Sequence, residues 1–344
     1  MNPMIPHNRL TTGAEESAAA DRVIKSGWLA QGREVEAFEN EICEFLGLEQ
    51  KSAIAVSSGS SALYLALKML KLSGAVTAPS YTCAAIRNAI NLAGLTEKLV
   101  DNESGTSSMN VSDESIQNSS ATVVVHNFGI PGKLPTHPQP VIEDCAQAIG
   151  ASRNGKYVGT LGKLGIFSFY ATKMITSGGQ GGMVVSKDRD IIDQIRDYRL
   201  FDCRYDDEYR FNFQMTDLQA AIGRVQLKRL PEFLRIRKEI FDEYQNISSS
   251  FLKSNDSSVV SSNYRAVLIT SNQKEVIEHL KLKSIGCIIP IEDRELMGIK
   301  NSYPNALEMA NKTVSIPIYP TLTSDERRRI SVELKELKQR GLIS

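Results

Sequence analysis

Residues 165–173 read GIFSFYATK, an apolar run that ends in a lysine, and residues 176–182 follow as TSGGQGG. A lysine just past a strand and ahead of a glycine-dense turn is an odd place for a surface charge. Glycine lets the backbone close tightly around a ligand. Desolvation there would lower the pKa of the Lys173 amine and make it a nucleophile toward an aldehyde. Ser168, shortly before it, adds a hydroxyl suited to a phosphate. Taken singly, a solvated loop lysine explains the same residues.

Residues 57–63, SSGSSAL, join an apolar strand to a helix. Gly59, Ser60 and Ser61 keep the turn small, and free amides at a helix start favour a phosphate. An ordinary strand-to-helix turn with a serine N-cap reads the same way. Residues 141–147, VIEDCAQ, carry an apolar strand into Asp144. That places an acid at a strand's carboxyl end, where α/β sheets bind ligands. Asp144 there suits a cationic heterocycle or a metal, and equally a helix cap. The combination is less ambiguous than its parts. A phosphate seat, an acid and a nucleophilic lysine are what pyridoxal 5′-phosphate requires: a seat for its phosphate, a partner for its pyridine nitrogen and an amine for its aldehyde.

These residues need elements to position them. Residues 15–46 read as two helices broken at Ser26-Gly27 and Gly32-Arg33, with Val35, Phe38, Ile42 and Phe45 at helical spacing. Strands and helices then alternate through AIAVSS, SALYLALKML, GAVTAPS, AAIRNAINLAG, KLVD, TVVVHNFG and PVIEDCAQAIG, which predicts a parallel or mixed sheet covered on both faces. Residues 103–120 read as a surface excursion. Residues 216–245 predict a long helix with Leu218, Ile222, Val225, Leu227 and Leu230 on one side and Pro231 as a kink or restart. A serine-rich stretch, 248–262, reads as an inter-domain connection or mobile loop. YRAVLIT, a helix near 273–282, the GCIIPI run and a charged last helix complete a smaller α/β unit. The expected division is 1–245, a large cofactor-binding domain, and 246–344, a small C-terminal domain.

The whole chain of 344 residues fits two unequal domains. With 40 Lys plus Arg against 40 Asp plus Glu it lacks the basic excess of a non-specific nucleic-acid or acidic-membrane binder. No apolar run approaches the ~20 residues of a membrane span. The amino terminus, MNPMIPHNRL, shows no signal-peptide core, so a cytoplasmic protein is expected. Five scattered cysteines without a C-x-x-C pair and four dispersed histidines predict neither disulfides nor a metal centre. His126 reads as a structural histidine, and Arg327-Arg328-Arg329 as the solvated face of a helix.

SGWLAQG, SSGSSAL, APSYTCAA, IEDCAQAIGA, FSFYATK, GGQGGMV, FNFQMTDLQAAIGRVQLKRL and SIPIYP, in this order over nearly the whole length, resemble the DegT/DnrJ/StrS family of pyridoxal-phosphate sugar aminotransferases. The resemblance implies the aspartate aminotransferase-like fold, an α/β protein with a large three-layer α/β/α domain, a mixed, mostly parallel sheet and a smaller C-terminal α/β domain. It implies Lys173 as the lysine that holds the cofactor aldehyde, Asp144 as partner of the pyridine nitrogen, and Gln147 beside the ring. Ser168 with Gly59, Ser60 and Ser61 would hold the phosphate, and Asn212 would come from the neighbouring subunit of a homodimer with composite sites. Three positions depart from the pattern: Cys83 stands where an aromatic often stacks on the ring, Gln214 where a cation is frequent, and Gln180 where an acid is frequent. The implied reaction moves an amino group from glutamate or glutamine to a keto-sugar nucleotide, giving an aminosugar for polysaccharide, glycoprotein or antibiotic assembly. Relatives that dehydrate a sugar carry histidine in place of the lysine, and a purely regulatory relative would not need Lys173, Asp144 and Ser168 together.

Overall fold

The computed structural model describes residues 3–344. Helices α1 (Ala14–Ser26) and α2 (Arg33–Leu46) stop where expected, each at a glycine in the left-handed region, Gly27 and Gly47. A residue with a Cβ resists that conformation, so glycine terminates both helices. The next elements are β1 (Ala53–Val56), α3 (Gly59–Met69), β2 (Ala75–Pro79), α4 (Ala85–Leu92), β3 (Thr96–Val100), the short α5 (Asp113–Ile116) and β4 (Ala121–Val125). Here the expected rhythm breaks. The connection from β4 to β5 (Val141–Asp144) holds a single 3-10 turn and no α-helix. Pro131, Pro135, Pro138 and Pro140 remove the amide donors that a helix would need.

The short strands β6 (Ser152–Arg153) and β7 (Lys156–Tyr157) form a hairpin that leads to β8 (Leu164–Ser168), β9 (Gly182–Val185) and α6 (Arg189–Arg199). The main sheet has the order β1-β9-β8-β5-β4-β2-β3, and β9 alone runs against the other six strands. The carboxyl ends of β1, β8 and β5 therefore share one edge. Alternate residues go to opposite faces. Ile54, Val56, Ile166 and Val184 pack with residues of α3, α4 and α6, while Ala53, Ala55, Phe167, Met183 and Val185 pack with residues of α2 and α7 (Asp217–Ile247). Three layers result.

Helix α7 passes through Pro231 without a break. Its buried residues include Ala220, Ala221, Gly223, Gln226, Leu227 and Leu230, whereas the expected Leu218, Ile222 and Val225 are half-buried, so the helix is covered on more than one side. The serine-rich stretch is docked. Phe251 bridges to Leu268, and β10 (Val259–Val260) pairs with β6, because a few apolar residues among the serines find partners. Strand β11 (Ala266–Ile269), α8 (Gln273–Leu282), α9 (Pro304–Lys312), β12 (Thr313–Ile316) and α10 (Ser324–Gln339) follow. β11 pairs with β12 over a core that also takes in Ile5 and, from α7, Ile240, Phe241 and Tyr244. The GCIIPI run forms no strand. Ile288 within it makes an isolated bridge to Ser315, and Ile285 just before it makes one to Ile5. Among the described residues no helix is long and apolar enough to cross a membrane.

Candidate active site

The turn after β1 resolves its own ambiguity. Ser58 caps α3, its Oγ accepting from Ser61 N at 3.1 Å, and Ser61 Oγ in return accepts from Ser58 N at 2.9 Å. This capping box uses the Ser61 hydroxyl, which is buried, whereas Ser60 stays exposed. Gly59 and Ser60 supply first-turn amides without intrahelical acceptors, at the positive end of the helix dipole. A Cβ on Gly59 would lie 2.7 Å from Ser168 Cβ and 3.0 Å from Ser168 Oγ. The Ser168 hydroxyl at the end of β8 therefore seats directly against the turn. Gly182, the β9 partner of Ser168, closes the arrangement, since a Cβ there would meet Ser58 O at 2.2 Å.

Asp144 ends β5, is buried, and has no ion-pair partner among the described residues. Its Oδ1 accepts from Ala146 N at 2.9 Å. Burial holds its carboxyl above the ordinary range, opposed by the Ala146 amide and by the charge of Lys173. A buried carboxylate in that condition gains from a cation. Glu143, one residue earlier on the opposite face, is satisfied internally. Its Oε1 accepts from Leu161 N and Gly162 N at 2.8 and 2.7 Å, and His126 Nε2 lies 2.9 Å from its Oε2. Because His126 Nδ1 accepts from Gly132 N, the ring proton sits on Nε2 and goes to Glu143. Burial works against the Glu143 carboxylate, but His126 and the backbone amides prevail and hold its pKa below the ordinary range. His126 is thus tied to Glu143, and the pair buttresses the strand beside Asp144.

Lys173 is half-buried, with Nζ 5.8 Å from the centroid of the Tyr264 ring. Tyr264 Oη donates to Thr172 O at 3.2 Å and fixes that ring beside the lysine. The charges of Lys173 and Asp144 both act on the Cys83 thiol, so the three residues lie near one another. Cys83 is solvent-accessible, yet enough protein surrounds it that desolvation raises the thiol, with Asp144 adding to the rise and Lys173 offsetting it. Gln147 is half-buried, and its Oε1 accepts from Phe128 N at 2.9 Å. Asn212 is exposed, its Oδ1 accepting from Gln214 N at 3.0 Å, while the next residue's carbonyl, Phe213 O, accepts from Ser57 N at 2.8 Å.

Two features were invisible in the sequence. Tyr264 comes from the approach to β11, and only the fold brings it to Lys173. Phe128 adopts φ 63, a left-handed conformation rare for a bulky residue. The one available signal was the adjacent Gly129, also at positive φ. The Arg run at 327–329 is only partly a solvated face, since Arg329 donates to Pro3 O at 2.9 Å and Arg327 lies 3.5 Å from Glu243.

The donor set suits pyridoxal phosphate. Two amides and a hydroxyl gather where a side chain at position 59 would intrude. A buried carboxylate has no ion pair among the described residues, and the Lys173 amine lies near enough for its charge to act on it.

Comparison with known proteins agrees. The model of the DegT/DnrJ/EryC1/StrS aminotransferase family matches residues 11–335. GDP-perosamine synthase of Escherichia coli O157:H7 is 30% identical over 349 residues, covering 94% of this chain and 95% of that protein. The spore coat polysaccharide biosynthesis protein SpsC of Bacillus subtilis is 30% identical, with 94% and 95% covered. The aminotransferase TlmJ from Streptoalloteichus hindustanus superposes with a TM-score of 0.89 at 26% identity, covering 98% of this chain and 99% of that one.

Proposed function

We propose, from the premise that the chain belongs to the DegT/DnrJ/EryC1/StrS aminotransferase family, that this pyridoxal-phosphate-dependent sugar aminotransferase moves an amino group from glutamate or glutamine to a keto-sugar nucleotide. The observation that carries the reading is the seat of Ser168 against Gly59 at the sheet edge where buried Asp144 ends β5 and Lys173 follows β8. In this reading Gly59, Ser60 and Ser168 hold the phosphate, Asp144 holds the pyridine nitrogen, and Lys173 holds the aldehyde carbon. Ser61 contributes by fixing the turn, and Gln147 by fixing the 126–129 turn near the ring. Bound there, pyridoxal phosphate supplies an electron sink that lets an α-proton leave. Lys173 Nζ takes that proton as general base and gives one back as general acid within the same half-reaction, and the half-reaction with the ketone runs this exchange in reverse. Asp144, desolvated and without another cation, keeps positive charge at the pyridine nitrogen. The Tyr264 ring sets where Nζ rests between transfers.

The reading extends to a cytoplasmic homodimer in which Asn212 of one subunit completes the site of the other. It is supported by the exposure of Asn212 and of its apolar neighbours Tyr205, Tyr209 and Phe211. It also places the division between the large and small domains near residue 245, supported by the core beneath β11 and β12, to which residues 1–245 contribute Ile5 and the end of α7. The test is a panel of keto-sugar nucleotides offered to the holoenzyme with glutamate. An aminosugar nucleotide, identified by mass, is the expected product, and its absence across the panel with both glutamate and glutamine overturns the reading.

A further inference from the structure

The ring that Lys173 faces also carries a second cation. Arg265 Cζ lies 5.4 Å from the Tyr264 centroid. Beside it a recess of about 200 Å³ is lined by Thr172, Tyr264, Arg265, Arg237, His7 and Ser315, together with Asn8 and isoleucines, and by no carboxylate. Arg237, from α7, is buried. It donates through Nη1 to Ile318 O at 2.6 Å and Tyr264 O at 3.1 Å, and its Nε has no partner. Arg265 approaches His7 Nε2 at 3.4 Å through Nη1, and its Nε is likewise buried and unpartnered. Neither guanidinium has an ion pair among the described residues. His7 offers no negative charge. Desolvation, then Arg265 and Arg237, lower it to about 3, so it is a neutral ring beside two cations. Buried positive charge without a counter-charge is costly unless an anion arrives, and guanidinium groups match a planar carboxylate.

We infer that this recess receives the carboxylate of the amino-acid donor, with Arg265 as its direct ligand and Arg237 and His7 holding the surrounding field. The inference rests on the aminotransferase reading. The location follows from the chemistry. A donor's α-carboxylate is one bond from the carbon whose proton Lys173 moves, so its ligand must lie close to Lys173. The recess meets that requirement through Thr172, the residue before the lysine, and through Tyr264, whose ring both cations face. Its size admits a carboxylate and a short chain, whereas a nucleotide diphosphate with its sugar would overfill it.

The test uses the holoenzyme and its Arg265→Gln and Arg265→Lys variants, each checked for an unchanged melting temperature and cofactor absorption. For Arg265→Gln the expected result is a rise in the KM for glutamate of roughly tenfold or more, as for a lost charge-assisted hydrogen bond. The KM for the keto-sugar nucleotide should hold steady, and Arg265→Lys should recover part of the loss. Glutarate, which carries the carboxylates without the amine, should compete with glutamate on the unmodified enzyme, a measurement independent of any variant. A glutamate KM within about twofold of the original, or no competition by glutarate, overturns the inference while leaving the aminotransferase reading intact. A rise confined to the sugar-nucleotide KM assigns the recess to the diphosphate and also overturns it. An unmodified enzyme that draws nitrogen from no amino acid overturns both.

Discussion

Asp144 ends β5 and Lys173 lies in the turn that follows the neighbouring β8, and their environments differ. Asp144 is buried without a cation, while Lys173 is half-buried against an aromatic face. Asp144→Ala should lower kcat by at least about a hundredfold, since electrostatic stabilisation of this kind is worth roughly 3 kcal/mol or more. Cofactor affinity should fall far less, as read by dialysis. Survival of catalysis within a few-fold would assign the ring nitrogen to another group. Cys83 lies near both with a small, accessible side chain. Cys83→Tyr should therefore fold normally and retain cofactor at least as well as the original, measured by absorbance after gel filtration, whereas gross misfolding would show that the space is already filled. Lys173, Asp144, Ser168 and Gly59 were legible in the sequence because each follows an apolar strand, where its residue type is unusual. Tyr264, Arg265 and His7 were not, because an ordinary strand approach and a terminal histidine acquire meaning only when folding brings them beside Lys173.

The turn proposed to hold the phosphate depends on how closely three strands approach one another. Gly182 on β9 faces Ser58 O, and an added Cβ would lie only 2.2 Å from that oxygen. Gly182→Ala should cost about 1–3 kcal/mol, as overpacking does, and should displace the start of α3. Chemical denaturation and cofactor retention measure the two effects, and an unshifted midpoint would mean that the strands are not held as described. At this scale the sequence was most informative where local chemistry decides the outcome. Gly27 and Gly47 stop α1 and α2, and α8 spans the expected 273–282. It was least informative where tertiary partners decide. Residues 126–144 look like one more strand–helix unit until their four prolines are counted, GCIIPI forms a bridge at Ile288 and no strand, and α7 continues through Pro231 because both of its halves are packed.

The single chain leaves the 200–211 segment with several large apolar side chains in water, and Asn212 follows directly. If Asn212 serves the partner subunit, mixing Lys173→Ala with Asn212→Ala subunits places both lesions in one site and leaves the other intact, so activity should partly return on exchange. No recovery, with exchange confirmed independently, would rule out the composite site. The α/β class and mixed sheet were legible from the alternation of elements, but strand order and the reversed β9 were not, because pairing depends on contacts far apart in sequence. The central claim is that the assembled enzyme takes an amino group through Lys173, and one half-reaction tests it most directly. Glutamate added to the holoenzyme without any sugar should release 2-oxoglutarate in proportion to the sites present and shift the cofactor's absorption, while the Lys173→Ala enzyme releases none. Failure of the unmodified enzyme to release it, or release by Lys173→Ala at the unmodified rate, would contradict the account.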